Sequence, residues 1–164
     1  MNNEEIKILI SAIQLAVVLI GAIWAYFRLW KEGILRARIQ FEIECQSFKA
    51  RQKEIPIEFR IILKNKGLTK HKFNSIKLRV RGIKKNEGLE LWKGNEPRLL
   101  FPHKLIDNEV IFKKKFSYVF VEPGVEQILN YNVMLPVEQE LILARAEFEY
   151  DENKSHSIEK MFEL

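Results

Sequence analysis

The sequence predicts a mainly β protein, with one N-terminal transmembrane α-helix followed by an antiparallel β-sandwich. Three observations carry this. Ile8 to Phe27 is a run of twenty residues without a formal charge. From about residue 36 onward apolar and polar residues alternate with a period of two. Turn-forming clusters interrupt that alternation at short intervals. The expected organisation is a tail over 1–7, a spanning helix over 8–30, a juxtamembrane linker over 31–35 and one sandwich domain over 36–164.

At about 1.5 Å of rise per residue the uncharged run makes a helix of roughly 30 Å, the thickness of a bilayer's hydrocarbon core. A cleaved signal peptide fits poorly. The preceding residues carry Glu4 and Glu5 against Lys7, and aromatics crowd the far end where small residues are needed. A buried helix of a soluble protein ordinarily has a polar face, and this one offers only Ser11 and Gln14. Trp24, Tyr26, Phe27 and Trp30 form a belt suited to the headgroup level, and Arg28, Lys31, Arg36 and Arg38 follow it. Basic residues stay preferentially on the cytoplasmic side. The expected orientation is therefore N-terminus outside and domain in the cytosol, in a cell inner membrane. The lone Cys45 agrees, since a single thiol forms no intrachain disulfide. Within the span, Ala12 and Ala16, and Gly21 and Ala25, are small residues four apart, and Gln14 is a polar group in lipid. Both features favour helix–helix association, so a homo-oligomer is an expected state.

The strands follow in order. Ile39, Phe41, Ile43 and Cys45 alternate with polar residues. So do Ile55, Ile57, Phe59, Ile61 and Leu63, then Ile76, Leu78 and Val80. Phe116, Tyr118 and Phe120 share a face, as do Leu129, Tyr131, Val133 and Leu135. Ala144, Ala146, Phe148 and Tyr150 follow, with a last strand over 157–162. One apolar and one polar face marks a strand on a half-solvated antiparallel sheet. Turn signals lie at 65–67, 85–88, 93–97, 122–124 and 151–153. Seven to nine such strands read as a sandwich.

The run from Ile57 through Asn65-Lys66-Gly67 to Ile76–Val80 resembles the strand–"N-x-G"–strand pattern of bacterial immunoglobulin-like adhesion and CARDB-type domains. Glu122-Pro123-Gly124-Val125-Glu126, leading into a strand that ends at Pro136, is similar to their later turn and strand. The resemblance implies an immunoglobulin-like sandwich and no particular activity. The whole chain also resembles small bacterial proteins that join one helix to a cytosolic β-domain.

Charge supplies the functional reading. Residues 59–86 hold ten Lys or Arg and no acid, whereas 122–164 hold ten acids and three basic residues. Lys113, Lys114 and Lys115 add a basic cluster. One consequence is a self-compensating face, with Lys77, Arg79 and Arg81 lying across from Arg145, Glu147 and Glu149. Another is contact with anionic membrane lipid, and a third is an anionic, nucleotide-type ligand. Candidate residues for lipid or anion are Lys70, His71 and Lys72 in a loop after Gly67, Lys84 and Lys85 in the next loop, and Lys113–Lys115. Trp92 and residues 97–102 either line a ligand groove or cover the core.

His71, His103 and His156 are far apart, and no glycine-rich phosphate loop occurs. No metal, cofactor or catalytic residue is expected. Cys45 falls on an apolar face and is expected to pack rather than react. The expected function is a non-enzymatic, membrane-tethered interaction module binding a protein partner or anionic ligand near the inner leaflet. The alternative is an oligomerising membrane effector. It rests on a likeness to small bacterial defence effectors, and implies a nucleotide-type signal bound by the β-domain.

Overall fold

A computed structural model describes residues 2–31, 38–92, 94, 97–112, 118–151 and 154–164. Lys113, Lys114, Lys115, Phe116, Arg36 and most of the 31–35 linker lie outside these described residues.

Helix α1 runs over Asn3–Lys31, beginning before and ending just after the uncharged run. Glu4 and Glu5 sit in its first turn and Arg28 and Lys31 in its last, each sign matching the helix dipole. None of its residues is buried, although nearly all from Ile6 to Trp30 are apolar. It is long and apolar enough to cross a membrane.

Eleven strands follow: β1 (Ile39–Ser47), β2 (Glu54–Asn65), β3 (His71–Phe73), β4 (Ser75–Lys84), β5 (Leu91–Trp92), β6 (Arg98–Leu99), β7 (His103–Val110), β8 (Val119–Val121), β9 (Glu126–Pro136), β10 (Gln139–Asp151) and β11 (Lys154–Glu163). One sheet has the order β1-β2-β9 and the other β11-β10-β4-β7, all antiparallel. The pairs β3-β8 and β5-β6 are separate short ribbons.

The alternation read from the sequence is the alternation of burial. Along β2 every second residue from Ile55 to Leu63 is buried, and along β4 Ile76, Leu78 and Val80 are. These meet Phe41 and Ile43 of β1 and Ile142, Ala144, Ala146 and Phe148 of β10 in one core between the sheets. Each large side chain removed from water there contributes about 1.5–3 kcal/mol. Phe148 is the aromatic centre. Its ring packs edge-on against Phe41 of the opposite sheet at 4.9 Å and against Phe73 of β3 at 4.8 Å. Cys45 packs half-buried at the edge of this core, and burial pushes its thiol pKa up to about 11.

Two segments differ from expectation. Residues 71–73, read as loop, form β3, because the carbonyls and amides there pair with β8 rather than with water. Residues 103–110, for which no strand is expected, form β7. Their alternation is broken by adjacent Leu105 and Ile106, only Ile106 is buried, and Asn108 has φ +54°, so pairing with β4 shifts register twice. An edge strand with bulges has no clean period of two.

Asn65 closes one end of the sandwich. It is fully buried, and its amide nitrogen donates to the carbonyls of Thr69 at 2.8 Å and Val121 at 3.0 Å. Its side-chain oxygen accepts from the Gly67 amide at 2.9 Å. Its own carbonyl accepts from Gly124, which takes φ +74°. The two turns at 65–67 and 122–124 are thus tied together through one side chain.

Candidate functional site

The end of the sandwich where β1 starts is the end nearest α1 along the chain. Here Lys70 and Lys72 lie over exposed rings on β8 and beside it: Lys70 Nζ is 3.6 Å from the Phe120 ring centre and Lys72 Nζ is 4.1 Å from that of Tyr118. The alternation of β3 puts Lys72 outward and Phe73 into the core. Lys70 also meets Glu122 at 3.3 Å. The result is a lysine–aromatic face beside the tied turns, continuing into exposed Leu68 and Val125.

His71, grouped with these lysines in sequence, is not part of that face. Its ring packs against Phe73 at 4.7 Å, Tyr150 at 5.2 Å and Phe148 at 6.3 Å. Its Nε2 is buried without a hydrogen-bond partner among the described residues, and burial lowers its pKa. A lysine to either side of it points outward because successive residues of a strand point to opposite faces.

Lys84 and Lys85 are at the other end. Ser75 and Lys84 bound β4, so at about 3.3 Å per residue these two ends are separated by about 30 Å. Lys84 meets Glu138 at 3.2 Å. Among the described residues the sequence candidates therefore fall in two groups, not one.

Most of the basic run between them is compensated. Arg60 pairs with Glu44 at 3.0 Å, Lys64 with Glu126 at 3.3 Å, Lys77 with Glu149 at 2.5 Å and Arg79 with Glu159 at 3.5 Å. With Lys70 and Lys84 these account for six of the ten basic residues in 59–86. The hydrogen bonds from Lys77 and Ser75 hold the Glu149 carboxyl below the usual carboxylate range. The acid-rich C-terminal third folds back onto the basic run, which removes much of the charge asymmetry seen along the chain.

A cleft opens where the β5-β6 hairpin and residues 97–102 cover the outer face of the four-stranded sheet. Its wider chamber, about 470 Å³, is lined among others by Arg81, Ile83, Glu87, Leu100, Phe101 and Pro102. A second chamber of about 320 Å³ is walled by Arg79, Arg81, Trp92, Arg98, Leu143 and Glu159, and shares Arg81, Leu100 and Phe101 with the first. Ile83 and Phe101 are buried here, outside the main core. Trp92 is positioned by Gly94, over which the indole folds so closely that any Cβ would strike it. At the rim, His103 Nε2 lies 2.6 and 2.8 Å from the two Glu87 oxygens. That contact, with the Lys84 amide, holds the Glu87 carboxyl below its ordinary range. Sequence reasoning named Trp92 and 97–102 but not Arg81 as a site residue. Among the described residues no three His, Cys, Asp or Glu side chains are grouped to hold a metal ion.

No protein-family profile matches the chain, and no curated protein matches it in sequence. Three solved structures are similar in shape. Spo0M, a sporulation control protein from Bacillus subtilis, aligns with 75% of this chain at 13% identity and a TM-score of 0.45; this chain spans about half, 48%, of that protein. The putative ApaA protein from Bordetella pertussis aligns with 78% of this chain and 94% of its own, at 9% identity and a TM-score of 0.48. A protein from Archaeoglobus fulgidus aligns with 77% and 98% respectively, at 11% identity and a TM-score of 0.35. All three scores fall below 0.5, and these likenesses carry no argument about function.

Proposed function

We propose that this chain is a non-enzymatic, membrane-tethered interaction module. In this reading α1 spans the inner membrane with its N-terminus outside. The sandwich, of immunoglobulin-like or CARDB type, sits at the cytosolic leaflet and binds an anionic ligand or protein partner there. The Asn65 tie between the two resembled turns supports the sandwich type. The observation that carries the membrane reading is the lysine–aromatic face at the end of the sandwich nearest α1. Seven residues separate Lys31 from Ile39, so even fully extended they reach only about 25–30 Å. Exposed Tyr and Phe suit the headgroup region, and each Lys near an anionic leaflet contributes about 1 kcal/mol.

The test uses the full chain in bilayer discs, with an environment-sensitive dye on Leu68→Cys. Anionic lipid is expected to blue-shift the dye relative to zwitterionic lipid. The shift should disappear in Lys70→Glu/Lys72→Glu and in about 0.5 M salt, where screening shortens to a few ångströms. Identical emission in both lipids at low salt would end the membrane-face reading.

Gln14 supports a second reading, the oligomerising effector. It is exposed on a helix whose neighbours are almost all apolar, and such a group in lipid gains roughly 0.6–2 kcal/mol from a partner helix. Crosslinking in discs should show a multimer that Gln14→Leu reduces about threefold or more, by that same energy. An unchanged multimer fraction, or none in the parent protein, rules this reading out.

A further inference from the structure

The outer face of the four-stranded sheet is a ladder of matched charges with one break. Across β4 and β10, Lys77 faces Glu147 and Arg79 faces Arg145. Lys77 reaches Glu149, while Arg79 and Arg145 share Glu159 at 3.5 and 4.0 Å. One pair further along, the pattern stops. Arg81 has Leu143 beside it on β10 and Lys104 on β7, and Lys104 is engaged with Asp107. Arg81 makes no ion pair among the described residues, and its Nε is buried there without a hydrogen-bond partner. A guanidinium cannot shed its charge, and a desolvated donor without an acceptor is costly. The half-buried residue therefore carries a charge that no acid among the described residues engages.

The surrounding walls define the anion that would suit it. Glu87 and Glu90 line the wider chamber and repel negative charge from it. Among the described residues the Trp92 chamber is walled by Arg79, which is paired with Glu159, by Arg98 and by the unengaged Arg81. The other described residues of its wall are apolar: Trp92, Leu99, Leu100, Phe101 and Leu143. A cleft of about 320 Å³ is at the lower end of the range for small-ligand sites. Inorganic phosphate alone would leave that apolar surface uncovered. We infer that this cleft binds a small aromatic anion, with its phosphate or carboxylate on Arg81 and its ring against Trp92. The inference stands apart from the membrane-face reading, because the cleft lies at the opposite end of β4.

Full-length protein carrying Trp24→Phe and Trp30→Phe retains Trp92 as its sole indole. In dodecylmaltoside, phenyl phosphate or benzoate is expected to quench Trp92 saturably, with a Kd of about 1 mM or tighter. Phenol and inorganic phosphate, each supplying half of the ligand, should bind at least about tenfold more weakly. Arg81→Gln should weaken the aryl anion about tenfold or more, the worth of a charge-assisted hydrogen bond. It should leave the urea midpoint unchanged or raised, whereas a purely structural arginine would lower the midpoint and leave affinity alone. Arg81→Lys, which keeps charge without Nε, should fall between, and serves as the measurement if the Gln variant does not fold. Lys64→Gln, on the other sheet, should bind as the parent does. No saturable quenching by either aryl anion up to about 10 mM, equal quenching by phenol, or parental affinity in both Arg81 variants overturns the inference.

Discussion

Phe148→Ala is expected to cost the sandwich about 4 kcal/mol, a large share of the roughly 5–15 kcal/mol margin of an ordinary domain. Phe148 is 3% exposed and bridges the layers, touching Phe41 on one sheet and Phe73 on the β3-β8 ribbon while belonging to the other. Truncation removes the transferred area and leaves a cavity that three backbones must surround. It also removes two edge-to-face pairs, each worth about 0.5–1.5 kcal/mol beyond burial. Urea unfolding of the full chain in detergent should move its midpoint down by roughly 2 M or more at an ordinary slope. Phe148→Leu retains most of the volume and should lose less than half as much. A loss below about 1.5 kcal/mol for the alanine variant would mean that the layers close without this ring.

Asn65→Ala comes next, at about 3 kcal/mol. The wild-type side chain is itself fully buried and satisfies two carbonyls and one amide, so its removal leaves three backbone groups without that partner at once. Stranded buried groups cost more than the bonds contribute when made. Asn65→Asp should be at least as damaging, because a carboxylate would then face the Thr69 and Val121 oxygens that now receive hydrogens. The loss should appear first as amide exchange at Gly67 and Gly124. If those amides stay protected in Asn65→Ala, the two turns hold together by other means.

These two residues show what the sequence makes legible. Phe148 sits in a clean alternation with Ala144 and Ala146, and its inward direction follows from period two alone. Asn65 reads as a turn residue; it is the last residue of β2, and its side chain accepts from the Gly67 amide just beyond. Its clamp was hidden because its partners are backbone carbonyls, which leave no mark in residue identity. The same holds for β3, whose pairing partner lies about fifty residues away in β8. Lys70 and Lys72 were legible as exposed bases. Their stacking on Phe120 and Tyr118 depends on that distant pairing. Arg81 was legible as an outward strand residue. Its lack of an ion pair among the described residues is a property of register with β10 and β7, which set Leu143 and Lys104 beside it.

The half-buried thiol has a consequence for handling this protein. With its pKa near 11, Cys45 is ionised at neutral pH to only about one part in ten thousand, against a few per cent for an ordinary surface cysteine. Thiol-directed reagents act on the thiolate, so brief maleimide treatment of the native chain is expected to label Cys45 little. A cysteine introduced on the surface would outcompete Cys45 by about two orders of magnitude, with the wild-type residue left in place. Site-directed labelling is therefore expected to need no replacement of the native thiol.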